Sequence, residues 1–215
     1  MKLLIQTLIT ATAALIFAQP VLAHHPLGGL PMESFSDGLL SGLGHPVLGF
    51  DHLFFILVAG IIATYSGYGK TALVVLISGV LAGVMLNVRG VLLPAPEFLV
   101  ALSLILLGGI GVYGKSLAVL PLVALFGGLG LCHGWAFGQT IVQQELVSPS
   151  VLSGYLAGLA IVQWLLGVGS GSVAVKLFGI LSSTDLRARL ACAMVTGVGV
   201  TYFFEHAESV VFSVL

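Results

Sequence analysis

A short polar motif interrupts an otherwise apolar stretch, and it contains His45, Asp51 and His52, with Gly49 between them. Imidazole and carboxylate ligands suit divalent nickel, cobalt, copper and zinc, whereas magnesium prefers oxygen alone. In one continuous helix, the two histidines would face the same side, Gly49 would leave room for an ion, and Asp51 would point about 100° away. Asp51 would then bind metal only if residues 46–49 unwind, or it would orient one imidazole. The alternative is a His–Asp pair that only ties helices together.

Other possible ligands occur near the ends of later apolar stretches: Glu97, His133, Glu205 and His206. Glu97 opens a predicted helix, where the helix dipole stabilises a carboxylate whether or not it binds metal. Glu205 lies near a predicted helix C-terminus, where the dipole disfavours an anion, so a purely structural explanation is weaker there. The structural alternatives are a hydrogen bond to a backbone carbonyl for His133 and an interfacial position for His206.

The composition is that of an integral membrane protein. Of the 215 residues, 58% are hydrophobic and 7% are charged, and the mean hydropathy is +1.16. Soluble domains carry about 25% charged residues, so this chain has too few polar groups to cover a water-soluble globule. A net charge of −1 gives no basis for binding nucleic acid. The expected partners are therefore the lipid bilayer and a metal ion, and no feature indicates an oligomeric state.

Residues 1–23 have the pattern of a secretory signal peptide, because a positive residue and an apolar run precede side chains that suit cleavage after Ala23. The alternative is an uncleaved first membrane helix. Cleavage would leave residues 24–215 as one transmembrane permease domain that begins with His24 and His25. The new α-amine and these two imidazoles would then be additional candidate metal ligands, unless this end is a disordered tail.

Six apolar stretches follow, each near the roughly 20 residues that cross a bilayer as a helix. They cover residues 45–65, 70–88, 97–114, 117–138, 150–175 and 190–212. A glycine-rich segment of residues 24–44, without a long apolar run, precedes them. We therefore predict an all-α integral membrane protein, a bundle of six transmembrane helices after a cleaved signal peptide.

Loop charges predict the orientation of these helices. A signal peptide places the mature N-terminus in the periplasm, so the loops after the first, third and fifth spans would be cytoplasmic. Those loops contain Lys70, Lys115, Lys176, Arg187 and Arg189, and the outer loops contain only Arg89. Because positive residues accumulate on the cytoplasmic side, the pattern predicts a bacterial inner-membrane protein with both termini periplasmic. All the candidate ligands then fall in the outer half of the bilayer.

Residues 45–52, His-Pro-Val-Leu-Gly-Phe-Asp-His, match the His-Pro-x-x-Gly-x-Asp-His signature of the HupE/UreJ family of nickel and cobalt permeases. The chain also resembles that family in its signal peptide, its histidine at the mature N-terminus, its six predicted helices and a His133-Gly134 element in the fourth. It departs at Phe137, where members often have a second histidine, and at Ile56, where a methionine often follows the motif. The resemblance implies a six-helix permease for nickel or cobalt.

We therefore expect a secondary uptake transporter, not an enzyme, because the chain contains no ATP-binding pattern and needs none. A divalent cation that moves inward gains about 4.6 kcal/mol per 100 mV of membrane potential. The alternatives are a membrane metal-binding or assembly protein that does not transport, and a transporter of copper or zinc. A rhomboid-type protease would also have about six helices, but the serines here lack a nucleophile motif. A metal-dependent membrane enzyme would normally offer more histidines.

Overall fold

The computed structural model describes residues 31–142 and 148–214, and over these ranges the chain is helical, without a strand. The helices are α1 (Phe35–Leu48), α2 (Phe50–Tyr65), α3 (Gly69–Val88), α4 (Pro96–Tyr113), α5 (Val119–Val142), α6 (Pro149–Lys176) and α7 (Leu186–Val214). The predicted signal peptide, His24 and His25 lie outside the described residues.

Helices α3 to α7 are each long and apolar enough to cross a membrane, and α1 with α2 forms a bent pair that meets the same test. The chain is therefore a multi-pass membrane protein. If the bent pair crosses once, it has six spans. The predicted spans from 70–88 onward agree with α3 to α7 to within four residues at each end.

Residues 35–44 of the segment before the metal motif are helical and belong to the bent pair, which corrects the prediction that the membrane helices begin only after this glycine-rich segment. Helix α1 begins after a capping box, in which Ser34 Oγ accepts a hydrogen bond from the Asp37 N–H and the Asp37 carboxylate accepts one from the Ser34 N–H. Gly38 and Gly42 lie against backbone carbonyl groups of α6. The small residues that interrupt the apolar pattern are therefore the ones that allow α1 to pack closely.

The motif does not lie on one straight helix, which corrects the expectation that its two histidines share a helix face. A single residue, Gly49, separates α1 from α2, and the axes of the two helices differ by 80°. The backbone of Gly49 is extended (φ −84°, ψ 106°), and Pro46 in the last turn of α1 has no N–H for the helical ladder. His45 therefore ends one helix and His52 begins the next.

Close packing at glycines holds the helices in three pairs, α1 with α6, α3 with α5 and α4 with α7. Glycines four residues apart on both partners face each other in the first two pairs. They are Gly38 and Gly42 opposite Gly154 and Gly158, and Gly79 and Gly83 opposite Gly130 and Gly134. In a bilayer, helices associate through such small residues because lipid gives no hydrophobic driving force between them.

Helix α2 is central, and within the described part of the chain it contacts α1, α3, α4, α6 and α7. Its side chains join one apolar cluster with α4 and α5, in which Phe55, Ile56, Leu104, Leu107 and Phe126 are almost fully buried. This packing fixes the start of α2, and therefore His52, relative to the neighbouring helices.

Candidate metal site

Two buried histidines from different helices meet at the first turn of α2. The Nδ1 atoms of His52 and His133 are 2.9 Å apart, and the two side chains are 6% and 2% exposed, respectively. His133 comes from the second half of α5, 81 residues further along the chain. The structure thus brings the motif and the predicted α5 histidine into direct contact.

The hydrogen bonds of Ser103 determine which nitrogens of this pair carry protons. Ser103 Oγ donates to the Val100 carbonyl at 2.6 Å and also lies 2.6 Å from His133 Nε2. Because the hydroxyl proton is already used, Ser103 accepts from His133 Nε2–H, and a neutral His133 has its lone pair on Nδ1. His52 Nδ1–H then donates a hydrogen bond to His133 Nδ1. The lone pair of a neutral His52 therefore lies on its Nε2.

Asp51 lies beside that second nitrogen of His52. Its Oδ1 accepts a hydrogen bond from the His52 backbone N–H at 2.8 Å, and its Oδ2 is 3.9 Å from His52 Nε2. A Cβ atom at Gly49 would be 2.8 Å from His52 Cδ2 and 3.1 Å from Asp51 Oδ1. Glycine at the helix break therefore allows both side chains to occupy these positions.

His45 lies next to the pair and has its own hydrogen-bond partners. Its Nδ1 is 3.2 Å from both Thr140 Oγ1 and the Tyr155 hydroxyl, and that hydroxyl donates to the Phe137 carbonyl at 3.0 Å. Tyr155 therefore accepts from His45 Nδ1–H, and a neutral His45 has its lone pair on Nε2. The ring centroids of His45 and His52 are 5.8 Å apart.

Aromatic rings pack against the three histidines. The Phe137 ring centroid is 5.0 Å from that of His45 and 4.3 Å from that of His52, and Phe55 stacks on His133 at 3.9 Å. Phe137, one of the two positions at which the sequence departs from the family pattern, is thus inserted among the imidazoles. The low dielectric of such a site strengthens electrostatic interactions within it.

The other predicted ligands lie apart from the histidine cluster formed by His45, His52 and His133. Glu97 is exposed in the first turn of α4, and His206 on α7 lies 6.0 Å from the Phe98 ring, centroid to centroid. Glu205 is also exposed. Over the described residues, no group of three or more His, Cys, Asp and Glu side chains could hold one metal ion.

The sequence does not single out Thr140 and Tyr155 as site residues, although both are buried against His45. Thr140 lies late in α5 and Tyr155 lies early in α6, so both belong to the same end of the bundle as the histidines. The only sequence signal for these two residues was a hydroxyl group within an apolar span. That signal does not show that the hydroxyl contacts His45, because the contact depends on which helices are neighbours.

Comparison with known proteins agrees with the motif. The model of the HupE/UreJ protein family matches residues 12–202. Protein HupE of Rhizobium leguminosarum bv. viciae is 31% identical over 175 residues, which cover 77% of this chain and 83% of that protein. No solved structure matches the chain. The resemblance is therefore confirmed, and the chain belongs to the HupE/UreJ family.

Proposed function

We propose that this protein is a permease that carries a divalent transition-metal ion, nickel or cobalt, inward across a bacterial inner membrane. The HupE/UreJ family consists of membrane permeases and accessory proteins, not enzymes, and is associated with nickel and cobalt uptake. The observation that carries the proposal is the buried contact between His52 and His133 at the break between α1 and α2.

The two imidazole nitrogens are close enough to bind one ion. Metal–nitrogen bonds are about 2.0–2.1 Å long, so two nitrogens at right angles around a metal are about 2.9 Å apart. His52 Nδ1 and His133 Nδ1 are separated by 2.9 Å. The same distance is that of the hydrogen bond between the rings, so an ion would bind in place of its proton.

The neighbours of each ring support such a site. His133 would bind metal through Nδ1 while its Nε2–H donates to Ser103, a common arrangement for a histidine ligand. His52 would lose its Nδ1 proton to binding and carry one on Nε2, where the Asp51 carboxylate is 3.9 Å away. Asp51 would then stabilise that proton by its negative charge.

Two imidazoles do not complete a coordination shell, so further ligands must approach when the ion binds. His45 and Asp51 are the nearest candidates, because the His45 ring centroid is 5.8 Å from that of His52 and the Asp51 carboxylate is 3.9 Å from His52 Nε2. His24 and His25, which cleavage after Ala23 would leave at the N-terminus, are further candidate ligands. Glu97, Glu205 and His206 would act earlier, as groups that attract the cation to this end of the bundle.

The direction of transport follows from charge. With residues 1–23 removed and six spans, the histidine end faces the periplasm, where the ion is captured. The opposite end carries Lys70, Lys115 and Lys176 and faces the cytoplasm. The membrane potential then drives the cation inward, by about 4.6 kcal/mol per 100 mV.

Uptake of radiolabelled Ni²⁺ into proteoliposomes tests the proposal, with an inside-negative potential imposed. We expect uptake by the unsubstituted protein, none by His133→Ala, and normal uptake by Cys132→Ala, a control one residue away on α5. Binding of Ni²⁺ without uptake would indicate the alternative, a metal-binding assembly protein. Competition with Co²⁺, Cu²⁺ and Zn²⁺ in the same assay identifies the preferred ion, since affinity alone favours copper.

A further inference from the structure

Buried polar side chains are concentrated at the histidine end of the bundle. In the described part of the chain they are Ser41, His45, His52, Asn87, Ser103, His133, Thr140, Gln163 and Ser183. All but the last two belong to the histidine end, and Ser183 lies in the loop between α6 and α7. Within the described helices, Gln163 is therefore the one buried polar residue between the histidines and the opposite end.

The register of α2 and α6 determines the depth of Gln163. These helices run in the same direction, and Gly60 packs against Gly167 while Thr64 packs against Gly171, one turn further along both. The same register, taken one turn back, puts Gln163 level with Ile56. Gln163 thus lies about one helical turn, or about 5.4 Å, further into the bundle than His52.

The surroundings of Gln163 make its amide unusual. The side chain is 1% exposed, and its Nε2 atom has no hydrogen-bond partner. Ile56, at the same level of α2, belongs to the apolar cluster at the centre of the bundle. A buried amide NH₂ group without a partner lowers the stability of the fold, so an apolar residue would serve the structure better.

We propose that Gln163 is a transit ligand, whose amide oxygen coordinates the divalent cation after it leaves His52 and His133 and before it reaches the cytoplasm. The inference rests on the proposed uptake function. The terminal amide of glutamine turns readily, so its oxygen can face the ion. A neutral oxygen replaces part of the hydration shell yet holds the ion more weakly than the imidazole pair, as release requires.

The test compares Gln163→Leu with Val162→Ala, a cavity-forming control at the adjacent buried position of α6. Purified full-length proteins are measured for Ni²⁺ binding in detergent, thermal stability and Ni²⁺ uptake in proteoliposomes. Loss of a group that supports a metal site commonly costs about 10–100-fold in affinity or activity. We therefore expect Gln163→Leu to take up Ni²⁺ at least about tenfold more slowly, with unchanged binding and equal or higher thermal stability. Val162→Ala is expected to be less stable but to transport normally.

Uptake by Gln163→Leu at the unsubstituted rate would overturn the transit ligand and leave the histidine site intact. Loss of Ni²⁺ binding or of folding in this variant would also overturn it, because the amide would then support the structure. Absence of uptake by the unsubstituted protein would overturn the permease and the transit ligand together.

Discussion

His52 connects the two halves of the proposed site, because each of its ring nitrogens faces a different partner. Nδ1 faces His133 at 2.9 Å, and Nε2 faces the Asp51 carboxylate at 3.9 Å. If metal binds at Nδ1, the ring proton moves to Nε2, beside the Asp51 carboxylate. Asp51 affects the proposed metal binding by orienting His52 and is not itself one of the two adjacent donors. We therefore expect different effects when each residue is replaced.

His52→Ala is expected to abolish Ni²⁺ uptake, because it removes one of two adjacent donors. Asp51→Asn is expected to weaken Ni²⁺ binding by about 10–100-fold, the usual effect of losing a group that orients a ligand. Titration calorimetry in detergent gives the affinities, and proteoliposome assays give the uptake. Equal affinity in Asp51→Asn and the unsubstituted protein would show that the carboxylate has no part in binding.

At the scale of helices, the break at Gly49 and the glycine pairs position the site. The break turns α2 by 80° from α1, and it allows His45 and His52 to approach from different directions. Close contact between α3 and α5 then positions His133, which is next to Gly134 in that interface. These two features can be perturbed separately.

Gly49→Ala is expected to impair binding while leaving the fold intact. Its backbone angles, φ −84° and ψ 106°, are accessible to alanine, so the substitution causes no backbone strain. The new Cβ would be 2.8 Å from His52 Cδ2, which forces the ring to move. We expect weaker Ni²⁺ binding with an unchanged melting temperature, and a loss of stability with unchanged affinity would contradict this explanation.

Gly134→Ala is expected to destabilise the bundle, because its Cβ would overlap the Val80 carbonyl of α3. Overpacking of this kind typically costs about 1–3 kcal/mol. Gly128→Ala on the same helix is the matched control, since a Cβ there meets nothing within 4 Å. Thermal unfolding in detergent is followed by circular dichroism. We expect a lower melting temperature for Gly134→Ala and an unchanged one for Gly128→Ala. Equal values for the two variants would exclude close packing as the role of Gly134.

For the whole molecule, the orientation in the membrane follows from the number of spans and from the loop charges. Five helices and one bent pair give an even number if the pair crosses once. With the periplasmic start that we propose, an even number would place the end of α7 in the periplasm. The histidine cluster would then open on the side from which an imported ion arrives.

A reporter that fluoresces only in the cytoplasm, fused after Leu215, is expected to be dark in cells. The same reporter inserted after Lys115, between α4 and α5, is the positive control, because that loop should be cytoplasmic. Fluorescence of the C-terminal fusion would mean an odd number of crossings or an inverted bundle. Capture from the periplasm would then be wrong.

The sequence by itself determined the membrane class, the spans corresponding to α3 to α7 and the family. These properties are local, because the apolar length of a helix and the spacing of a motif belong to neighbouring residues. The helix α1 was missed for the same reason. Its glycines weaken the apolar pattern, and their contribution appears only when α6 is beside them.

Only the tertiary structure decided which side chains meet. A motif cannot reveal that His52 contacts His133 across 81 residues, or that Tyr155 and Thr140 hold His45. Nor could the motif separate these histidines from Glu97 and His206, which have the same ligand chemistry. Contacts between distant residues depend on how closely the helix backbones approach, and in this bundle glycines on opposing helices set that distance.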